Sequence, residues 1–270
     1  MSDQELLREF NKLLDATERW ARGRGGSAGR RAAREAAAGE AADGEAAAGE
    51  AAAGEAAAGE AAAGEAAAGE AAAAPPAEDL EARRAALAEI EEQVRACVRC
   101  PLHEGRTNAV PGMGVLDPLV MVIGEGPGGD EDRQGLPFVG KAGQYLDKWL
   151  AALDLSRERD VYITNIVKCR PPGNRDPQTR EIEACSPYLR RQIDIIRPKT
   201  ILALGRFAGS WLTGSTQSLG KMRGRTFDFK GVPVVVTYHP SGVLRNPDYR
   251  RPVWEDLKRL REIYSSLGAG

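Results

Sequence analysis

At 270 residues, with 37 Lys and Arg against 39 Asp and Glu and four cysteines, the chain can hold one large domain or two ordinary ones. The near-neutral total hides an asymmetry: residues 1–78 carry 8 basic against 15 acidic side chains, and residues 79–270 carry 29 against 24. No apolar run is long enough for a secretory signal or a membrane span, so no membrane partner is expected; a weakly basic body on an acidic tether fits contact with a polyanion.

Residues 1–38 open with an amphipathic stretch, Ser2–Trp20, in which Leu6, Leu7, Phe10, Leu13, Leu14 and Trp20 recur at helical spacing, and continue into the Gly/Arg-rich run Arg22–Arg34. Two readings stand side by side, a poorly ordered extension and a docking helix for a protein partner. From Gly39 to about Ala74 the chain repeats Ala-Ala-Ala-Gly-Glu with a five-residue period. A glycine in every repeat costs roughly 1 kcal/mol relative to alanine. The five-residue period also fails to match the helical turn, so no apolar stripe forms. Residues 39–77 are therefore expected to be a linker between helix and coil, ended by Pro75-Pro76.

Residues 78–270 carry the folded domain. A helix is expected over Glu78–Ala96, with Leu80, Leu87, Ile90 and Val94 on one side. Leu119–Ile123 is a continuous apolar run closed by glycine, the pattern of a strand buried on both faces. Ala142–Leu153 reads as a helix, Val161–Val167 as a second strand and Thr179–Ile196 as a helix. Thr200–Leu204 is a third strand followed by a short helix around Phe207–Leu212. Val232–Thr237 is a fourth strand, and a last helix runs from about Tyr249 to Leu267. Strands alternating with helices imply right-handed crossovers and an α/β fold with a parallel sheet between two helical layers. Ligands of such sheets bind beyond the carboxyl ends of the strands, so Glu125, Asn165 and His239 are expected to converge on one cleft.

Cys97 and Cys100 form a C-x-x-C pair, and Cys169 and Cys185 follow singly. Structural disulfides are rare in the cytosol. The set therefore points to one shared centre, an iron–sulfur cluster or a zinc ion, rather than to two disulfides or four inert thiols. Gly124-Glu125-Gly126-Pro127-Gly128 lacks both the Lys-Ser/Thr of a Walker loop and the spacing of a dinucleotide site, so a nucleotide cofactor is not expected. Phe138, held between Pro137 and Gly140, is a core ring or a platform on which a planar base can stack. Asn165 inside an apolar strand needs partners, and its amide suits the edge of a nucleobase. His239 is followed by Pro240-Ser241 and a loop in which Leu244 can wedge into a base stack and Arg245 can hold a phosphate. Lys168, Arg170 and Arg175 place positive charge beside the third cysteine, where phosphates can run.

From about Cys97 to Tyr264 the chain resembles the family 4 uracil-DNA glycosylases, the iron–sulfur type found in bacteria and archaea. The resemblance rests on Cys-x-x-Cys-Pro, Gly-Glu-Gly-Pro-Gly, Gly-Leu-Pro-Phe-Val-Gly-Lys-Ala-Gly, Thr-Asn-Ile-Val-Lys-Cys-Arg-Pro-Pro, the fourth cysteine and His-Pro-Ser, in that order. It implies a three-layer α/β/α domain with a central four-stranded parallel sheet and a structural [4Fe–4S] cluster on Cys97, Cys100, Cys169 and Cys185. It further implies that Phe138 stacks on uracil, Asn165 reads the pyrimidine edge and His239 donates to uracil O2, with Gly126 bordering the base. The best-studied uracil glycosylases have an aspartate and a tyrosine where this chain has Gly126 and Gly128. Glu125 is then the nearest group to activate water, with Glu131 and Asp132 further off. Ser241, Leu244, Arg245, Lys168 and Arg170 are the expected DNA contacts.

The implied activity is a monofunctional one: the base is flipped out of the DNA, single- or double-stranded, and its N-glycosidic bond is hydrolysed, starting base excision repair. A monomer in the cytosol or nucleoid is expected. Three rivals are a histidine-based covalent capture protein, a polymerase-associated binding module and a zinc enzyme outside repair. The first is disfavoured because Pro171–Pro177 is short and has no histidine.

Overall fold

The computed structural model describes residues 77–268; the amphipathic start and the five-residue repeat lie outside the described residues. The described elements are α1 (Ala77–Arg95), α2 (Leu102–Gly105), β1 (Met113–Gly114), β2 (Val120–Gly124), α3 (Gly129–Gln134), α4 (Lys141–Ala152) and β3 (Val161–Asn165). They continue with α5 (Thr179–Ile196), β4 (Thr200–Leu204), α6 (Gly205–Thr213), α7 (Leu219–Met222), β5 (Thr226–Phe229), β6 (Val232–Thr237), α8 (Pro240–Arg245) and α9 (Arg250–Gly268). Among the described residues no helix is long and apolar enough to cross a membrane.

The six strands form one sheet in the order β1-β3-β2-β4-β6-β5. The four expected strands are its parallel centre. Two short antiparallel edges were not expected, β1 against β3 and β5 against β6. They carry little sequence signal: β1 is two residues long, and three of the four β5 residues are at least partly exposed. Short edges of this kind leave little unpaired backbone for a foreign strand.

The central strands read as unbroken apolar runs because both faces are covered. On one face Met121, Ile123, Ile201, Ala203, Val234 and Val236 pack with Leu87, Ile90 and Val94 of α1 and Leu189 and Ile193 of α5. On the other, Val120, Val122, Ile163, Leu202, Leu204 and Val235 pack with Leu146 and Trp149 of α4 and Val253, Trp254 and Leu257 of α9. Each fully buried side chain of this size contributes roughly 1.5–3 kcal/mol. Arg83 locks α1 in place: its guanidinium donates to both oxygens of Asp117 at 2.8 Å and to the carbonyls of Ile195 and Ile196.

This topology places the site. The parallel strands end at Gly124, Asn165, Leu204 and Thr237. The cleft beyond them is lined by Glu125, Asn165, Gly205, Arg206, Tyr238 and His239, with further walls from Gly126, Phe138, Asn174, Arg175, Asp176, Ser241 and Arg245.

Candidate active site

The cleft has a volume of about 480 Å³. Its floor is built where β2 and β3 run side by side, with Gly124 registered against Asn165. A Cβ at Gly124 would lie 2.4 Å from Asn165 Oδ1 and 2.6 Å from Phe138 Cζ, so glycine is what lets the amide and the ring approach. Asn165 is 1 % exposed, and its Oδ1 has no hydrogen-bond partner. A buried amide oxygen left unsatisfied is costly.

Phe138 sits beside it in a left-handed backbone conformation (φ 53°) that bulky residues rarely adopt. Several bonds hold it there. Arg157 donates to the carbonyls of Phe138 (2.6 Å) and Pro137 (3.1 Å). Glu131 accepts from the backbone N–H groups of Val139 (2.9 Å) and Gly140 (2.8 Å) on one oxygen and from Gly128 (3.1 Å) on the other. One buried carboxylate thereby binds the glycine-rich turn to the Phe138 loop. Glu131 thus accepts from three backbone N–H groups, and Asp132 Oδ1 accepts from the N–H groups of Thr107 and Asn108, so both outlying water-activating candidates brace the scaffold. The signal for Glu131 was legible as an acid at the third helical position after Gly128, the place of a capping box. Glu131→Ala is expected to destabilise the domain by about 3 kcal/mol, as orphaned buried donors do; urea unfolding measures this.

His239 caps α8. Its Nδ1 accepts from the Ser241 N–H (3.2 Å) and from the Ser241 hydroxyl (2.8 Å). The proton of the neutral ring therefore belongs on Nε2. Burial, reinforced by the positive charge of Arg245, pushes the imidazolium down to about 4, so the ring is neutral at physiological pH. The imidazole and Phe138 rings lie 5.6 Å apart, centroid to centroid. Glu125, half-buried in the same cleft, is pushed up to about 7, chiefly by burial and then by the charge of Asp176, against the opposing pull of Arg206. Arg206 and Asp176 form an exposed pair at 3.3 Å.

Gly126 lines the cleft as expected, and a Cβ there would meet Val167 Cγ2 at 2.8 Å, leaving little room for a side chain. Ser241 and Arg245 also line the cleft, and Leu244 is an exposed apolar side chain on α8. Arg170 is half-buried and donates to Asn174 Oδ1 at 2.8 Å. Two expectations need correction. Lys168 is 1 % exposed and turns its ammonium inward, to Thr164 Oγ1 (2.5 Å) and the Asn165 carbonyl (2.8 Å), so it reaches no phosphate. A cation inside an apolar segment reads as surface charge unless the fold shows its acceptors. Arg175 is engaged by the buried carboxylate of Glu181 at 2.6 and 2.9 Å and orders the cleft wall rather than offering a free charge.

The four cysteines are free of disulfides and line one recess on the α1–α5 side, together with Arg99, His103, Arg106, Lys168 and Tyr188. Arg106 donates to Cys169 Sγ (3.0 Å), and the Lys168 N–H donates to Cys185 Sγ (3.3 Å). Burial raises the Cys169 thiol, and it pushes Cys185 to about 11. Among the described residues no group of three or more His, Cys, Asp or Glu is drawn together around a metal ion. The donor set is nevertheless all sulfur, with N–H donors aimed at two of the four, which fits a thiolate-bound iron–sulfur centre.

Residues 111–258 match the family model described as the uracil DNA glycosylase superfamily. The chain is 48 % identical over 186 residues to a type-4 uracil-DNA glycosylase of Saccharolobus solfataricus, covering 66 % of this chain and 86 % of that protein. It is 46 % identical over 187 residues to one of Sulfurisphaera tokodaii, covering 66 % and 84 %. Against one of Thermotoga maritima the identity is 44 % over 190 residues, covering 69 % and 98 %.

Proposed function

Because the chain belongs to the type-4 uracil-DNA glycosylases of the uracil-DNA glycosylase superfamily, we propose that it excises uracil from DNA and leaves an abasic site. The observation that carries this reading is the buried Asn165 amide, its Oδ1 without a hydrogen-bond partner, beside the Phe138 ring and the neutral His239, all in one cleft. A flipped base stacks on Phe138 while Asn165 pairs with its polar edge. The C1′–N1 bond breaks with its electron pair passing to the base, and charge grows on uracil O2. His239 Nε2–H meets that charge as a preorganised donor. The sugar cation is captured by water, whose proton passes to the Glu125 carboxylate. Uracil leaves as its N1 anion and takes its proton from solvent, Glu125 returns its own to solvent, and a hemiacetal sugar remains, with no covalent enzyme intermediate.

The same reading assigns Ser241, Leu244, Arg245 and Arg170 to DNA contact, with Leu244 filling the gap left by the base. Arg206, exposed at the cleft wall, joins them. Cys97, Cys100, Cys169 and Cys185 would hold a [4Fe–4S] cluster, which when bound ties the segment after α1 to β3 and α5 and supplies no step of the hydrolysis. Residues 78–270 act as a monomeric catalytic domain in the cytosol on single- or double-stranded DNA.

Incubation with a single-uracil oligonucleotide is expected to release free uracil, with strand breakage only after added alkali. A brown protein with visible iron–sulfur absorbance is expected in the same preparation. Binding of the oligonucleotide by iron-loaded protein without uracil release would overturn the reading.

A further inference from the structure

Lys168 is the least expected residue in the core. It is 1 % exposed, and no carboxylate is among its hydrogen-bond partners. Burying an ammonium with no carboxylate bonded to it opposes folding, and a methionine of similar length would fill the space without that opposition. Stability does not account for a lysine here, so its partners have to.

Those partners belong to two sites at once. The Lys168 backbone N–H donates to Cys185 Sγ (3.3 Å), and its carbonyl accepts from the Val110 N–H (2.7 Å). The side chain turns back along its own segment. Its Nζ donates to Thr164 Oγ1 (2.5 Å) and to the carbonyl of Asn165 (2.8 Å). Thr164 passes the tie on by donating to Pro111 O (2.8 Å). The same carbonyl accepts from Gln192 (3.0 Å) on α5, the helix that carries Cys185. Asn165 is the last residue of β3, and the Ile166 N–H of the same peptide donates to Gly124 O (3.0 Å), so the peptide is held at both its polar ends. The ammonium holds that peptide from behind while the amide faces the cleft.

The geometry points to Lys168 as a positioning residue that couples the cysteine recess to the base-reading amide of Asn165, so that discrimination of uracil depends on a residue that touches neither base nor DNA. This inference rests on the uracil-excision reading above. It concerns the chain's own residues on both sides of the tie, and it extends the role of the recess from bracing the fold to aligning the site.

The test compares the iron-loaded wild type with Lys168→Met and Thr164→Val. Each is measured for visible absorbance and iron content, thermal midpoint, kcat and KM on a uracil oligonucleotide, and affinity for duplexes carrying non-hydrolysable 2′-fluorodeoxyuridine or its cytidine counterpart. Lys168→Met is expected to keep its absorbance and a midpoint at or above the wild type. Its kcat is expected to fall by about 10- to 100-fold at similar KM, with the preference for the uridine analogue over the cytidine one reduced, because small misplacements at a reacting centre have effects of that order. Thr164→Val, which removes one of the two acceptors, is expected to show the same pattern at about tenfold or less. An unchanged kcat and preference in Lys168→Met, or loss of iron in step with activity, overturns the coupling. If Lys168→Met does not fold, Thr164→Val decides alone, and wild-type kcat and preference in that variant overturn it. Absence of uracil release by the wild type would instead bring down the glycosylase reading itself.

Discussion

Replacing His239 with alanine is expected to lower kcat for uracil release by about 10²–10³-fold, the usual effect of removing one preorganised donor from a developing oxyanion. KM for the oligonucleotide should change little, because the donor matters most when charge has moved onto O2. The geometry behind this is specific. The Ser241 N–H and hydroxyl both point at Nδ1, so the proton of the neutral ring is carried by Nε2. With the imidazolium pushed down to about 4, no proton is gained between pH 5 and 8, and this contribution to the rate should be flat across that range. His239→Asn, which keeps a donor at the end of a shorter side chain, should recover part of the loss. An alanine variant that releases uracil at the wild-type rate would remove His239 from the reaction.

Glu125→Gln is expected to lower kcat by about 10²-fold, the lower end of the range for a positioned base. It should also abolish a pH dependence. A base must be unprotonated to accept from water, and Glu125 is pushed up to about 7. Wild-type kcat should therefore rise from pH 5 to 8 with a midpoint near 7, while the glutamine variant is flat. The stability effect has the opposite sign. The folded-state value lies above the unfolded one, so between about pH 4.3 and about pH 7 the folded state binds more protons than the unfolded one. The native state is progressively disfavoured as pH rises through that window and equally so above it. Glutamine removes the penalty, and its thermal midpoint should match the wild type at pH 4 and exceed it at pH 8. A wild-type rate profile without an acid limb would leave the water to be activated by another group.

The Asp176–Arg206 pair bears on the same residue, since one partner raises Glu125 and the other lowers it. Neither was evident from the sequence, because their relevance lies only in their nearness to Glu125 across three separate segments of the chain. Tyr238 shares this character. It lines the cleft and stacks on Tyr249 at 3.9 Å, with the Arg223 guanidinium 4.6 Å from its ring centre. Arg223 in turn is held by Asp256, which also accepts from the Thr237 hydroxyl at 2.6 Å. The strand end that delivers His239 is braced by a network spread over 33 residues of chain.

The sequence by itself determined the layer order of this protein and the end of the sheet beyond which its cleft lies. Four apolar runs alternating with amphipathic helices can bury their faces only as a parallel sheet between helices, and the crossovers then bring the residues after each strand to a common edge. Glu125, Asn165 and His239 could be brought together by that argument because strand ends are fixed by local chemistry: a glycine, a polar residue in an apolar run, a proline. The four cysteines could be grouped by redox logic alone. Only the tertiary structure decided which polar residues line the cleft and which are engaged in bracing it. Lys168, Arg175, Glu131 and Asp132 look equivalent to functional residues in one dimension. Their roles depend on which groups lie within 3 Å, and that is set by packing between segments of the chain. The edge strands escaped for a related reason: two or four residues acquire extended structure only when a neighbour supplies the ladder.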